Sequence, residues 1–270
     1  MGLISNIHPV ALALIAGLAT WGMTALGAAV VFVSKEINRK FLDAMLGFAA
    51  GVMLAAVYWS MLAPAIEIAR SRHMLPWLVL SIGFLSGGIF LRIIDRILPH
   101  LEFDFPIEKA EGIKTSWHQT TLLVLAMTLH NIPEGLAIGI AFGAISVGCP
   151  SATLQAAVAL AIGIGIQDIP EGLAVSLSLR HRGISPLKSF WYGQLSGIVE
   201  PLASIIGAAA VISAQSILPY TLAFAAGAMF FIVVEEIIPE SQRGGHPDLA
   251  TMGTIVGFAV MMILDLVFTG

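Results

Sequence analysis

Eight apolar runs divide this sequence, at about residues 8–33, 41–66, 75–97, 119–145, 153–180, 186–212, 216–239 and 247–269. A helix needs roughly 20 apolar residues to cross the hydrocarbon core of a bilayer, and each run is long enough. With no water in that core, every backbone N–H and C=O must be satisfied within the segment, so such runs fold as helices. The expectation is an all-α integral membrane protein of eight transmembrane helices. It fills residues 1–270 as a single transmembrane domain, with no stretch left for a separate soluble one. Composition agrees: 11% of the residues are charged, against roughly 25% in a soluble domain.

Charge placement orients the spans. With the N-terminus outside, the inner connections hold Lys35, Arg39, Lys40, Lys109, Lys114, Arg180, Arg182, Lys188 and Arg243, and Arg92 and Arg96 close the inner end of the third span. Only Arg70 and Arg72, of 13 basic residues, fall outside. Positive residues concentrate on the cytoplasmic side, so both termini are expected outside the cytoplasm. The first basic residue, Lys35, follows the first apolar run, whereas a cleavable signal peptide carries its charge in front. That run therefore reads as a true span. The net charge of −4 says less than its placement, and nothing provides for a nucleic-acid partner. The single cysteine, Cys149, excludes an internal disulfide and a cysteine metal cage.

Inside the fourth and fifth runs stand two copies of one polar phrase: His130-Asn131-Ile132-Pro133-Glu134-Gly135-Leu136-Ala137 and Gln167-Asp168-Ile169-Pro170-Glu171-Gly172-Leu173-Ala174. Ionisable residues at membrane depth are expensive and face a cavity or a partner. Helical spacing puts His130 and Glu134 on one face and Gln167 and Glu171 on another, with Asn131 and Asp168 on the flanks. Each proline frees a carbonyl one turn back, and each glycine admits a neighbouring helix. An imidazole, three carboxylates and two amide oxygens suit a divalent cation. Glu134 and Glu171 as protonated members of a relay is a compatible reading, because a ligating carboxylate first gives up its proton. The two phrases lie on antiparallel spans, as in a transporter built from inverted repeats with its site near the midplane.

The paired phrases resemble the fourth and fifth spans of the ZIP (Zrt/Irt-like) family of metal transporters, most closely its bacterial GufA-type branch. The resemblance extends to Gly47-Phe48-Ala49-Ala50-Gly51-Val52-Met53-Leu54-Ala55-Ala56, Glu200-Pro201 and Glu236-Ile237-Ile238-Pro239-Glu240. It implies an inverted-repeat bundle of three, two and three spans, with the metal site between the fourth and fifth. It also implies a first cation held by His130, Glu134, Gln167 and Glu171. Asn131, Asp168 and Glu200 would build a second position, with Glu134 and Glu171 bridging the two. Met53, Ala56, Leu160 and Ile164 would form an apolar plug on the outer side, with Ser60 contacting the incoming ion. Glu236 would lie on the cytoplasmic release path. Glu235 is a departure, since GufA-type relatives often carry a His-Glu pair there. Homodimers occur in the family. The polar connector 98–118, with His100, Glu102, Asp104, Glu108, Glu111 and His118, reads as a solvated cytoplasmic loop; the resemblance implies as an alternative a weak metal-holding loop near the cytoplasmic exit, against which the lack of a histidine run counts. Asp43, Glu67 and Asp265 read as acids at span ends, Asp265 facing the surface.

The expected function is uptake of divalent metal, chiefly Zn²⁺, by an alternating-access carrier in the inner (plasma) membrane. One imidazole among oxygen ligands also admits Cd²⁺, iron, manganese or cobalt. A selective channel would use the same residues but needs a continuous polar line. An intramembrane metalloenzyme would use Glu134 or Glu171 as general base. The chain has no His-Glu-x-x-His pair, so the reading is a carrier and not an enzyme.

Overall fold

Proline marks where several helices start. Its missing N–H costs nothing in a first turn and its fixed φ suits the helix, and Pro9, Pro76, Pro186 and Pro247 each open a span. Elsewhere a side chain caps the free backbone N–H groups: Asn38 accepts from Lys40 N, and Thr153 from Ala156 N, each at 3.1 Å. The computed structural model describes residues 7–34, 38–100, 112–146 and 152–269. Among the described residues there is no strand, and eight helices are long and apolar enough to cross a membrane. They are α1 (Pro9–Phe32), α2 (Arg39–Ser71), α3 (Pro76–Ile97), α4 (Thr120–Ser146), α5 (Leu154–His181), α6 (Pro186–Ser213), α7 (Gln215–Arg243) and α8 (Pro247–Thr269). Lys35, Lys109, Cys149 and the acids Glu102, Asp104, Glu108 and Glu111 of the connector lie outside the described residues.

Two spans outrun expectation. α2 continues beyond residue 66 and α7 beyond 239, and each contains a π-helical segment, Val57–Leu62 and Val233–Ile237. After each segment the α-helix resumes with a proline, Pro64 or Pro239, in its first turn. The charges that suggested span ends are carried by the helix. Glu67 and Arg70 are exposed, while Glu240 pairs with Arg39 at 2.7 Å and with Arg243 at 3.1 Å.

Glycine decides which helices lie closest. A Cβ on Gly51 would overlap the carbonyl of Thr254, and one on Gly87 that of Phe224, so α2 meets α8 and α3 meets α7 backbone to backbone. The phrase glycines act the same way. Gly172 abuts the Thr24 carbonyl on α1, and Gly135 the Glu200 carbonyl on α6. Backbone contacts of this kind join α1, α4, α5 and α6 into one group, and α2 to α8 and α3 to α7 in the other. Between the groups the one close glycine contact among the described residues is Gly163 against the Met261 side chain. Much of that boundary is apolar packing, including Met53 and Ala56 of α2 with Leu160 and Ile164 of α5, all buried, and His130 of α4 meets Glu236 of α7 across it.

Two acids are placed differently from expectation. Asp265 is not surface-facing. It is buried on the side of α8 turned to α2 and accepts a hydrogen bond from the Ser60 hydroxyl at 3.0 Å. Asp43 does stand near a span end, but fully buried, between Arg39 at 2.9 Å and His246 at 3.0 Å.

Candidate metal centre

Both phrase prolines sit inside uninterrupted helices, Pro133 in α4 and Pro170 in α5. Their glutamates fall near the middle of each span, level with Glu200 in α6. A 3-10 turn, Ser196–Ile198, precedes Glu200 and sets its approach to the phrases. His130, Asn131, Glu134, Gln167, Asp168, Glu171 and Glu200 are all 4% exposed or less. Glu134, Asp168 and Glu200 each present a carboxylate oxygen within 4.8 Å of the others. The Gln167 amide donates to Glu134, and Thr20 and Thr24 of α1 donate to the two oxygens of Glu200.

The remaining oxygens have no donor. Asn131 Oδ1, Glu134 Oε2, Gln167 Oε1 and both carboxylate oxygens of Asp168 and Glu171 are buried without a hydrogen-bond partner. Buried polar atoms are almost always paired, and an unpaired one costs about 1–3 kcal/mol. Seven such acceptors on two facing helices, with three carboxylates among their owners, form a donor set that a divalent cation satisfies. The fit rests on chemistry alone: oxygen-rich, anionic and shut off from competing donors.

His130 takes a different position from its phrase partners. Its Nε2 forms an ion pair with Glu236 of α7, its Nδ1 lies 3.3 Å from Met127 Sδ, and Glu171 is within electrostatic reach. The imidazole thus links the phrase on α4 to Glu236. Glu235 is not brought to the cluster. It is exposed and reaches Arg92 on α3 at 3.2 Å. Arg92 in turn holds Asp95 at 2.9 Å, and Asp95 holds the buried His100 at 3.0 Å. Met53 is wholly buried beside Leu160. Ser60 lies in the π-helical segment of α2 and faces a cleft shared with Trp59, Thr153, Leu160 and Asp265. Thr20 and Thr24 escaped the sequence reading. The only signal they offered was a hydroxyl pair at helical spacing in an otherwise apolar span.

Eight apolar helices around a buried, carboxylate-rich oxygen cluster define a membrane protein that handles cations, since ionisable groups at such depth mark ion paths. The chain belongs to the ZIP zinc transporter family, whose model matches residues 106–265. It is 42% identical to the zinc transporter ZIP11 of Xenopus tropicalis, over 97% of this chain and 99% of that protein. It is 40% identical to the zinc transporter GufA of Myxococcus xanthus, over 94% and 97%. With the zinc transporter ZIPB of Bordetella bronchiseptica it shares 36% identity, over 97% of this chain and 82% of that one.

Proposed function

We propose that residues 1–270 form one transport domain that carries Zn²⁺ into the cytoplasm, binding up to two cations between α4, α5 and α6. The observation that carries this reading is the set of unpartnered buried oxygens on Asn131, Glu134, Gln167, Asp168 and Glu171. Glu134 and Glu171 bridge the two positions. His130 completes the first after leaving Glu236, and Glu200 supports the second. The family's zinc transporters supply the identity of the cargo, and the oxygen-rich set admits Cd²⁺ and other divalent transition metals. Both termini lie outside the plasma membrane, with Arg39, Lys40, Arg96, Arg182 and Arg243 on the cytoplasmic side. Two copies of the chain associate in the bilayer, as the family resemblance implies.

Transport proceeds by alternating access. α1, α4, α5 and α6, joined by backbone contacts, move as a body against α2, α3, α7 and α8. The boundary favours this, because side chains slide past one another where glycine-to-carbonyl contacts lock. Exchanging α1 with α6, α2 with α7, α3 with α8 and α4 with α5 maps the close pairs onto one another, and likewise the two π-helical segments. That exchange supports an inverted repeat of three, two and three spans, the architecture in which rigid bodies rock around a midplane site. Met53, Ala56, Leu160 and Ile164 close the outer route, Ser60 meets the incoming ion, and Glu236 accepts it on release. Each charge carried inward gains roughly 2.3 kcal/mol per 100 mV of negative-inside potential, so uptake needs no other driving ion.

The test is zinc influx into proteoliposomes holding a metal-sensitive dye, with wild type and Glu171→Ala. Saturable influx abolished by the substitution supports the carrier. Binding without influx in correctly inserted wild-type protein overturns transport, and a current proportional to voltage replaces the carrier with a channel.

A further inference from the structure

Helix α1 holds no cation ligand in the reading above, yet two of its hydroxyls reach the carboxylate of Glu200. Thr20 lies one helical turn before Thr24, and both hydroxyls face α6. The Thr20 hydroxyl bonds one carboxylate oxygen of Glu200, and Thr24 Oγ1 lies 3.4 Å from the other. Each hydroxyl has a backbone alternative, Gly17 O at 3.1 Å and Thr20 O at 3.4 Å. Bonds to a carboxylate are the stronger, so the hydrogens go to Glu200. Thr20, Thr24 and Glu200 are all 1% exposed or less, so no solvent competes.

The surroundings hold this arrangement in place. A Cβ on Gly197 would fall 2.8 Å from Thr24 Oγ1 and 2.9 Å from Glu200 Oε1, so glycine there leaves room for the pair. On the other side of Thr20, Gly17 abuts Pro201 and the Ser204 hydroxyl, and Ser204 donates to Ala13 O at 3.0 Å. The seam between α1 and α6 therefore fixes the height and rotation of the Glu200 side chain. Glu134 and Asp168 carry oxygens without donors, whereas both Glu200 oxygens are occupied by hydroxyls of a helix outside the phrases.

We infer that Thr20 and Thr24 are positioning residues for the second cation: they orient the Glu200 carboxylate toward Asp168 and Glu134. This rests on the two-cation reading of the same site. A carboxylate free to rotate would share its charge with no particular oxygen neighbour, and a ligand held by outer partners binds metal better than a loose one. Loss of such partners costs roughly 10–100-fold in metal affinity.

Calorimetric titration of the purified full-length protein with Zn²⁺ tests this, with thermal unfolding in chelator as the check on folding. The variants are Thr20→Val, Thr20→Ser, the double change Thr20→Val with Thr24→Val, and Glu200→Gln. Expected is binding of two ions by wild type, and in both valine variants a second ion weakened roughly 10–100-fold with the first little changed. Thr20→Ser, which keeps the hydroxyl, retains the wild-type profile. Unchanged two-ion binding in the double valine variant, with Glu200→Gln deficient, overturns the positioning role alone. One-ion binding by wild type overturns the two-cation reading and this inference with it, whereas two-ion binding by Glu200→Gln removes Glu200 from the second position and overturns the inference. A serine variant as weak as the valine one, or equal loss of both ions with early unfolding, assigns the threonines to packing and overturns the inference.

Discussion

Replacing Glu171 with glutamine should stabilise the protein while abolishing its transport. Glu171 is 1% exposed and neither carboxylate oxygen has a hydrogen-bond partner, so in the absence of a cation its desolvation cost and the repulsion from its neighbours outweigh its attraction to His130. Its neighbours Glu134, Asp168 and Glu200 are acids acting on the same region. An unpartnered buried polar group costs about 1–3 kcal/mol. The glutamine amide removes one charge and brings two N–H donors beside the unpartnered oxygens of Asp168 and Glu134. At roughly 2–4 °C per kcal/mol for a chain of this order of size, the gain in chelator is roughly 2–12 °C. With zinc the order reverses, because a ligand at a hundred times its Kd adds about 2.7 kcal/mol to the protein that binds it. The assay is thermal unfolding of purified protein with chelator and with zinc, paired with influx into proteoliposomes. A variant that melts several degrees below wild type in chelator would refute the reasoning, because it would mean that Glu171 forms a stabilising bond within the protein itself.

His130→Ala should abolish zinc influx, since it removes the only imidazole of the phrases and unlinks α4 from Glu236; dye-loaded vesicles report it. Glu200→Ala should leave partial influx, because it withdraws one ligand of the second position while the bridging acids remain. Gly51→Ala drives a Cβ into the Thr254 carbonyl and should lower the yield of folded protein and its melting temperature, whereas Gly22→Ala, with nothing within 4 Å, should be neutral or slightly stabilising. Asp43→Asn removes the carboxylate that Arg39 and His246 both contact. Because Arg39 and His246 are each 28% exposed, the expected cost in a denaturation experiment is about 2 kcal/mol, below the 3–5 of a fully buried pair.

The eight spans were readable in advance because a bilayer imposes one length and one chemistry on every crossing segment. The phrases were readable because His130, Glu134, Gln167 and Glu171 stand against an apolar background in a spacing with one helical meaning. What escaped depended on which face each helix turns to a neighbour. Asp265 sits near the end of α8, where an acid serves a headgroup or a buried hydroxyl equally well, and only the approach of α2 selects Ser60. Glu235 and Glu236 are adjacent and so leave the helix in different directions; packing alone sends one to Arg92 and the other to His130. Thr20 and Thr24 look like ordinary residues of a membrane helix until α6 is laid against them. The π-helical segments of α2 and α7 leave no plain mark in the residue pattern.

The glycine-to-carbonyl seams also determine where this chain can change in length. On α2, Gly47 and Gly51 meet Ala250 and Thr254, and on α8, Gly253 and Gly257 meet Ala44 and Phe48. The four glycines recur every four residues, like teeth on two matched racks. A single residue inserted between Gly47 and Gly51 would turn the following half of α2 by about 100° and bring side chains where only backbone fits. Variation in length is therefore confined to the connections and to the turns that already hold a surplus residue. In those π-helical turns the extra residue is absorbed by widening the helix, without disturbing the seam below.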